Sequence, residues 1–377
     1  MLDYLLSQNL DFWKNKSWKK QDMLNFYENN KSSKNLSLVN IKSGIISYSN
    51  HCRYLFTEPL MRFFRIILKN KKFKDLDVCF LISLKDEVFD KNIEIHDFNR
   101  NKLNNYDDHT FSNGVSLTSD NILKIEKSKY FDLNFPLFSP NNNMKGLIIL
   151  PHPNLLNKSI NKFKDCVDQY HFKNKIGNNP FYRFSNIRAN IFLPSRMKLV
   201  EMSFKNPKYL DCKGSNNGSH PDHGDYILQK SFLKLYNKLR IIKLNENKFD
   251  SFMEHFNVNN FVPKDELKKY KYLITNDSWY NNIDYCMWNS ILFRYKLEKS
   301  KYYEDFIFED GTDVVIFDEK NFKEKIDGIR NTSTEILVKN IENRKKKVKK
   351  YFSYHKLVDH YGQLLMKFSE IQKNNQL

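Results

Sequence analysis

Between Lys268 and Arg330 the chain changes period again and again. KYKYLIT reads as a strand, YCMWNSILFRYK as a helix running into a strand, DVVIF as another strand and FKEKIDGI as a helix. Strands separated by helices are joined by crossovers, and crossovers join parallel strands. This alternation commits the second half of the chain to a parallel sheet covered by helices.

The first half carries the same signature more sparsely. MRFFRIILKNKKF is amphipathic at helical spacing, and DLDVCFLISL is an apolar run of strand length. KGLIILPHP repeats the strand pattern and stops at Pro151, a natural terminator at a sheet rim. A chain of 377 residues exceeds one ordinary core, so the reading is α/β with two halves. A polar lead-in covers 1–50, an N-terminal α/β domain 51–175, and a second α/β domain 176–330, entered through KNKIGNNP. Residues 331–377 form one or two long helices that pack back across the domains. Asp90 to Asp132 reads as loop-rich.

Hydrophobic residues at 40% and aromatics at 15% suffice to cover two cores, which excludes wholesale disorder. The net charge of +18 suggests a phosphate-bearing partner, but lysines occur throughout rather than in one patch, as a compositional bias would spread them. Arg344 to Lys350 reads as a solvated helix face. Five cysteines with no CxxC pair argue against a zinc knuckle or a disulfide framework. No apolar run reaches the ~18 residues of a membrane span, and the first twenty residues lack a signal-peptide core. The expectation is a cytoplasmic protein whose basic C-terminal helices rest peripherally on an anionic membrane.

The densest group of anion ligands is Arg183, Ser185, Asn186, Arg188 and Arg196. Arginine's planar fork donates two parallel hydrogen bonds to a phosphate, and a following helix start adds backbone amides. The loop after KYKYLIT brings Asn276, Asp277 and Ser278 to a strand's carboxyl end, where ligands of open α/β sheets sit. His220, Asp222, His223 and Asp225 have metal-compatible chemistry but lie in a Gly- and Asn-rich stretch, read as a surface turn. No metal is assigned.

Taken in order, these segments resemble glycosyltransferase family 90, which includes protein O-glucosyltransferases and capsule-associated xylosyltransferases. FYRFSNIRANIFLPSRMKLVEMSFKNPKYLD resembles the family's Arg-Gly-Ser segment with its Arg-containing helix and Asn-Pro turn. KYKYLI resembles its Lys-Tyr-Lys-Tyr strand, and SILF followed by SKYYEDFIFED its Ser-containing strand and aromatic-acidic segment. DLDVCFLISLKDEVF, PLFSP and LIILPHP supply first-half counterparts, so the resemblance runs from about Asn50 to the C-terminus. It implies a GT-B-like fold, two Rossmann-like domains facing a cleft with a long C-terminal helix. It implies inverting transfer from a UDP-sugar, with glucose or xylose as the sugar; the lack of a signal-peptide core favours as acceptor a glycan or glycolipid such as a lipopolysaccharide or capsule precursor. No metal or other cofactor is required. Lys271, Ser290, Tyr303 and Glu304 join the donor-binding set, with Glu304 on the donor ribose.

Two departures stand out. Phe184 replaces the glycine after the first arginine, and Phe cannot adopt the backbone conformations open to Gly. Leu147, beside Gly146, occupies the place of the carboxylate that deprotonates the acceptor. The transfer still needs a proton acceptor, and Asp86 and His152 are the two candidates, each just past a strand. Arg183, Arg188 and Arg196 would then stabilise the leaving UDP. The competing readings are a catalytically inactive sugar- or nucleotide-binding relative and a basic nucleic-acid-binding protein; no nucleic-acid partner is expected on the main reading.

Overall fold

The computed structural model describes residues 10–31, 36–49, 54–83, 93–95, 115–117, 123–125, 133–139, 147–185, 194–215, 234, 237, 242–258, 262–275, 282–296 and 307–375. The first half opens with α1 (Lys20–Asn30), β1 (Leu36–Lys42) and β2 (Ile45–Tyr48). Lys42 pairs with Ile45 across an antiparallel hairpin, so Ser43 and Gly44 alone make the turn. Both have positive φ, 49° and 76°, the geometry whose twist matches paired strands. A Cβ on Gly44 would also lie 2.9 Å from the Lys74 carbonyl oxygen.

After α2 (Tyr54–Lys69), β3 (Val78–Ser83) pairs antiparallel with β1 from Leu36 to Ile41. The lead-in expected over 1–50 is therefore corrected: it contributes two strands of the first sheet, and the first half begins well before residue 51. β3 is buried at every position, which is why its sequence is a continuous apolar run rather than an alternation. β4 (Ile93–Ile95), β5 (Val115–Leu117) and β6 (Leu123–Ile125) form a small separate antiparallel sheet within the segment read as loop-rich. β7 (Leu137–Ser139) and β8 (Leu147–Ile149) then add parallel to β3, giving the mixed order β2-β1-β3-β7-β8. α3 (Pro153–Ile160) leaves the carboxyl end of β8.

The second half runs β9 (Phe181–Ser185), α4 (Pro194–Lys205), β10 (Asp211–Ser215), α5 (Phe249–Phe256), β11 (Asn257–Val258), α6 (Lys264–Leu267), β12 (Tyr272–Ile274), α7 (Asn282–Cys286), β13 (Ile291–Tyr295) and β14 (Val315–Phe317). All the pairings are parallel, in the order β11-β10-β9-β12-β13-β14. Counted within this half, that is 3-2-1-4-5-6, the doubly wound order of dinucleotide-binding sheets. Strand alternation divides the two faces. Tyr182, Cys212, Ile274, Phe293 and Phe317 join one core with Leu199 and Val200 of α4 and Phe252 of α5. Phe181, Leu273 and Leu292 join the other, with Ile283 and Tyr285 of α7. Right-handed crossovers running in opposite directions from the sheet's middle put helices on opposite faces in this way.

Three helices close the chain: α8 (Phe322–Arg330), α9 (Thr334–Tyr351) and α10 (Tyr354–Asn374). The Ser333 hydroxyl caps α9 by accepting from the Ile336 N–H at 3.4 Å. Leu337 and Ile341 of α9 pack into the second half's core, while Leu364, Leu365 and Phe368 of α10 pack into the core of the first sheet. The Tyr361 hydroxyl donates to the Ile149 carbonyl and the Ser369 hydroxyl to that of Asp77. Among the described residues, no helix is long and apolar enough to cross a membrane.

The basic run of α9 is not the solvated face expected of it. Arg344 is 1% exposed, and Lys347 pairs with Asp313 at 2.7 Å and Glu309 at 3.1 Å. Lys345 donates to the Asn289 side chain. Lys346, Lys349 and Lys350 remain exposed.

Candidate functional site: the crevice between β9 and β12

A parallel sheet offers a ligand its carboxyl rim, and a doubly wound one opens a crevice there where adjacent strands send their connections in opposite directions. β9 turns back to β10 and β12 goes on to β13, so the crevice lies between β9 and β12, which pair through Phe181 and Leu273. Ser185 ends β9 and Thr275 follows β12. α4 starts at Pro194, a residue suited to the first helical turn because its missing N–H is unused there. Its free amides and partial positive charge belong to the β9 side of the crevice.

Arg196 lies in that first turn and is buried. Burial, with the Asp284 charge beside it, pushes the Tyr285 phenol of α7 above the usual tyrosine range, an effect that the Arg196 charge opposes. Lys198, two residues on, pairs with Glu201 at 2.9 Å and with Glu319, just beyond β14, at 3.6 Å. Of these two cations at the start of α4, Lys198 is already ion-paired.

The structure separates the other candidates. Arg183 is on β9, but its guanidinium is taken by Asp211: Nη2 meets the two carboxylate oxygens at 2.9 and 3.0 Å and Nη1 meets the Asp211 carbonyl at 2.8 Å. Asp211 begins β10, so Arg183 reaches away from the carboxyl rim. Lys271 and Ser290 immediately precede β12 and β13, which puts them on the amino rim, the opposite edge from the crevice. The Ser290 hydroxyl donates to the Tyr270 carbonyl at 2.8 Å, and the Lys271 ammonium lies 5.7 Å from the Phe172 ring centre. Asp86, Asn186, Arg188, Asn276, Ser278, Tyr303 and Glu304 lie outside the described residues, as do His220, Asp222, His223 and Asp225.

His152 sits where the sequence placed it, past the end of β8, but with other work. It is the N-cap of α3: its Nδ1 accepts from the Asn154 N–H at 3.0 Å. Burial drives its pKa down from 6.5 to about 2. A nitrogen of that basicity is a poor receiver for an acceptor's proton. Leu147, in the expected carboxylate's place, is a buried residue of β8.

Sequence reasoning missed a junction built on two carboxylates, Asp284 and Asp168. Asp284 of α7 is 2% exposed. Lys158 of α3 approaches it at 3.4 Å, the Cys166 thiol donates to it at 2.9 Å, and Lys264 also pairs with it. Beside it, Asp168 pairs with Lys175 at 2.8 Å and accepts the Asn289 N–H at 2.7 Å. Both carboxylates tie the tail of the first half to the segment following the crevice. Lys158, Cys166 and Asn289 each lie over a hundred residues from the carboxylate they meet, so no local pattern announces those contacts.

No protein-family model matches the chain, and no curated protein matches it. The class is therefore carried by the fold itself: an α/β protein with a mixed first sheet, a doubly wound parallel second sheet and C-terminal helices.

Proposed function

We propose that the chain is an inverting, metal-independent glycosyltransferase with a GT-B-like arrangement, moving glucose or xylose from a UDP-sugar to a hydroxyl of a surface-glycan precursor. The observation that carries this reading is the strand order of the second sheet, whose crevice at the carboxyl rim falls between β9 and β12. Such crevices hold nucleotides. The β9–α4 connection, NIRANIFL, contains no glycine, so it lacks the fingerprint by which dinucleotide-binding loops bring pyrophosphate against bare backbone. Side-chain donors fit instead, and Arg188 and Arg196 flank the start of α4.

In this mechanism the acceptor hydroxyl attacks the anomeric carbon as the bond to UDP breaks. Asp86 takes the acceptor's proton, and Arg188, Arg196 and the amides of α4 meet the charge developing on the diphosphate. Arg183 drops out because Asp211 already neutralises it. Tyr303 and Glu304 serve the nucleoside end, with Asn276 and Ser278 on the β12 side.

A second reading, nucleotide-sugar binding without transfer, is favoured by one observation: His152 is a buried cap. That leaves Asp86 as the single candidate base of the two. A thermal-shift screen of UDP-, GDP- and CMP-sugars tests the class, since a bound ligand raises the melting temperature by mass action. Stabilisation by UDP-sugars supports it, and no shift with any of them overturns it. Acceptor-independent hydrolysis of the UDP-sugar separates transferase from binder.

A further inference from the structure

From Asn343 to Val358 the chain holds no Asp or Glu, yet it carries the run RKKKVKK of α9 and Lys356 of α10. The fold divides these cations into two groups. Arg344 is buried, its guanidinium donating to the main-chain carbonyls of Cys286, Asp313, Trp288 and Ser290. Lys345 pairs with Glu342 at 2.8 Å and Lys347 with Asp313 at 2.7 Å. The rest, Lys346, Lys349, Lys350 and Lys356, are exposed. Among the described residues none of these lysines has an ion pair.

Leu337, Ile341, Arg344 and Val348 mark the buried face of α9. At about 100° per residue, Lys346 and Lys350 fall opposite that face, with Lys349 beside them. Lys346 stands one turn before Lys350, and Lys345 one turn before Lys349, so like charges repel along the helix. The acid one turn before Lys346 is Glu342, which Lys345 already occupies. Only Phe352 and Ser353 separate α9 from α10. Lys356 therefore lies at the same corner, where the N-terminus of α10 adds partial positive charge. Tyr351 and Tyr354 flank the corner, half buried against the core of the first sheet. The Lys350 ammonium is 5.1 Å from the Tyr351 ring centre, and the Tyr354 ring meets that of Phe63 edge-on at 6.0 Å.

We infer that this corner is a docking surface for an anionic lipid bilayer. Unpaired charges of one sign, held close together by a rigid helix, set up a field that an opposite charge relieves. All of them are lysines, compact point charges that suit a layer of headgroups, whereas recognition of a single phosphate or base edge favours the fork of arginine. Tyrosine, apolar in its ring and polar at its tip, suits the boundary between headgroups and water. Single-stranded nucleic acid asks for free ring faces on which bases stack, and both tyrosines are packed against the core. The inference rests on charge and position, stands apart from the nucleotide reading, and its failure leaves that reading untouched.

The test is co-sedimentation of the full chain with vesicles of phosphatidylcholine alone and of equimolar phosphatidylcholine and phosphatidylserine. The wild type is expected to bind the mixed vesicles only, and less tightly as salt is raised. A lysine near an anionic surface accounts for roughly a 5-fold factor in binding. Changing Lys346, Lys349, Lys350 and Lys356 together to Gln is therefore expected to weaken binding at least about 100-fold, while changing the same lysines to Arg keeps it. A control that removes as much charge elsewhere, Lys71, Lys72, Lys248 and Lys320 to Gln, all exposed, is expected to stay within about 5-fold of the wild type, because charges beyond a Debye length are screened. No binding by the wild type, or equal losses in the two Gln variants, overturns the inference. Binding of single-stranded polyuridine through the corner lysines, without binding of the mixed vesicles, overturns it in favour of a nucleic-acid partner.

Discussion

Gln372 completes the backbone of Cys79: its Oε1 accepts the Cys79 N–H at 2.9 Å and its Nε2 donates to the Cys79 carbonyl at 2.8 Å. A side chain near the end of α10 thus acts as a piece of neighbouring strand for β3, and pins the last helix to the first sheet. Gln372→Leu leaves both main-chain groups buried without these partners, at a cost of about 2–4 kcal/mol. Denaturant unfolding measures it. A loss below about 0.5 kcal/mol would mean that this pairing does not hold α10.

Gly362 lets α10 approach the ring of Phe73. A Cβ there would stand 2.2 Å from Cε2 of that ring, and Phe73 is buried with little room to give. Helix propensity alone makes Gly→Ala favourable by about 1 kcal/mol, whereas overpacking costs about 1–3 kcal/mol. Gly362→Ala is expected to lower the melting temperature. A higher one would show that propensity wins and the close approach is absent.

His152 gives stability a pH dependence of definite sign. Its folded pKa, about 2, lies below the ordinary 6.5, so between those values the unfolded chain binds a proton that the folded chain refuses. Stability is then full above pH 6.5 and falls as pH drops, by about 1.4 kcal/mol per unit from this group. His152→Asn keeps an N-capping oxygen and removes the titration. The variant is expected to flatten stability between pH 4 and 6.5 and to leave sugar transfer intact, whereas loss of transfer would restore His152 as the base.

Asp284→Asn removes the charge that Lys158 and Lys264 face and the acceptor of the Cys166 thiol. Breaking a buried ion pair costs about 3–5 kcal/mol, and the low end applies because both lysines keep access to water. A change under 1 kcal/mol in chemical denaturation would show that the junction draws its stability from its apolar contacts.

The elements legible in sequence were those with a period or a run of their own. VCFLIS, LII, YLI and VIF are strands, and FKEKIDGIR is a helix, as the pattern indicated. The β1–β2 hairpin was missed although Ser43-Gly44 between NIK and IISY marks it, because the surrounding polar residues resemble a tail. Strand order was not legible at all, since parallel neighbours share no local pattern; only the alternation that demands a parallel sheet was. For the site, residue type alone cannot tell an arginine aimed at a crevice from one bound by a neighbouring strand. Arg183 is the second kind because Asp211 stands beside it in the sheet. Lys271 and Ser290 were drawn in by motif adjacency, which ignores the rim of the sheet on which a residue lies.

The two rims give the most direct measurement: calorimetric titration of UDP into the wild-type protein, Arg196→Ala and Lys271→Ala. With the nucleotide in the crevice between β9 and β12, the wild type binds, Arg196→Ala weakens binding at least 10-fold, and Lys271→Ala, on the opposite rim, leaves it unchanged. Binding that depends on Lys271 and not on Arg196, or no binding by the wild type, would contradict the account.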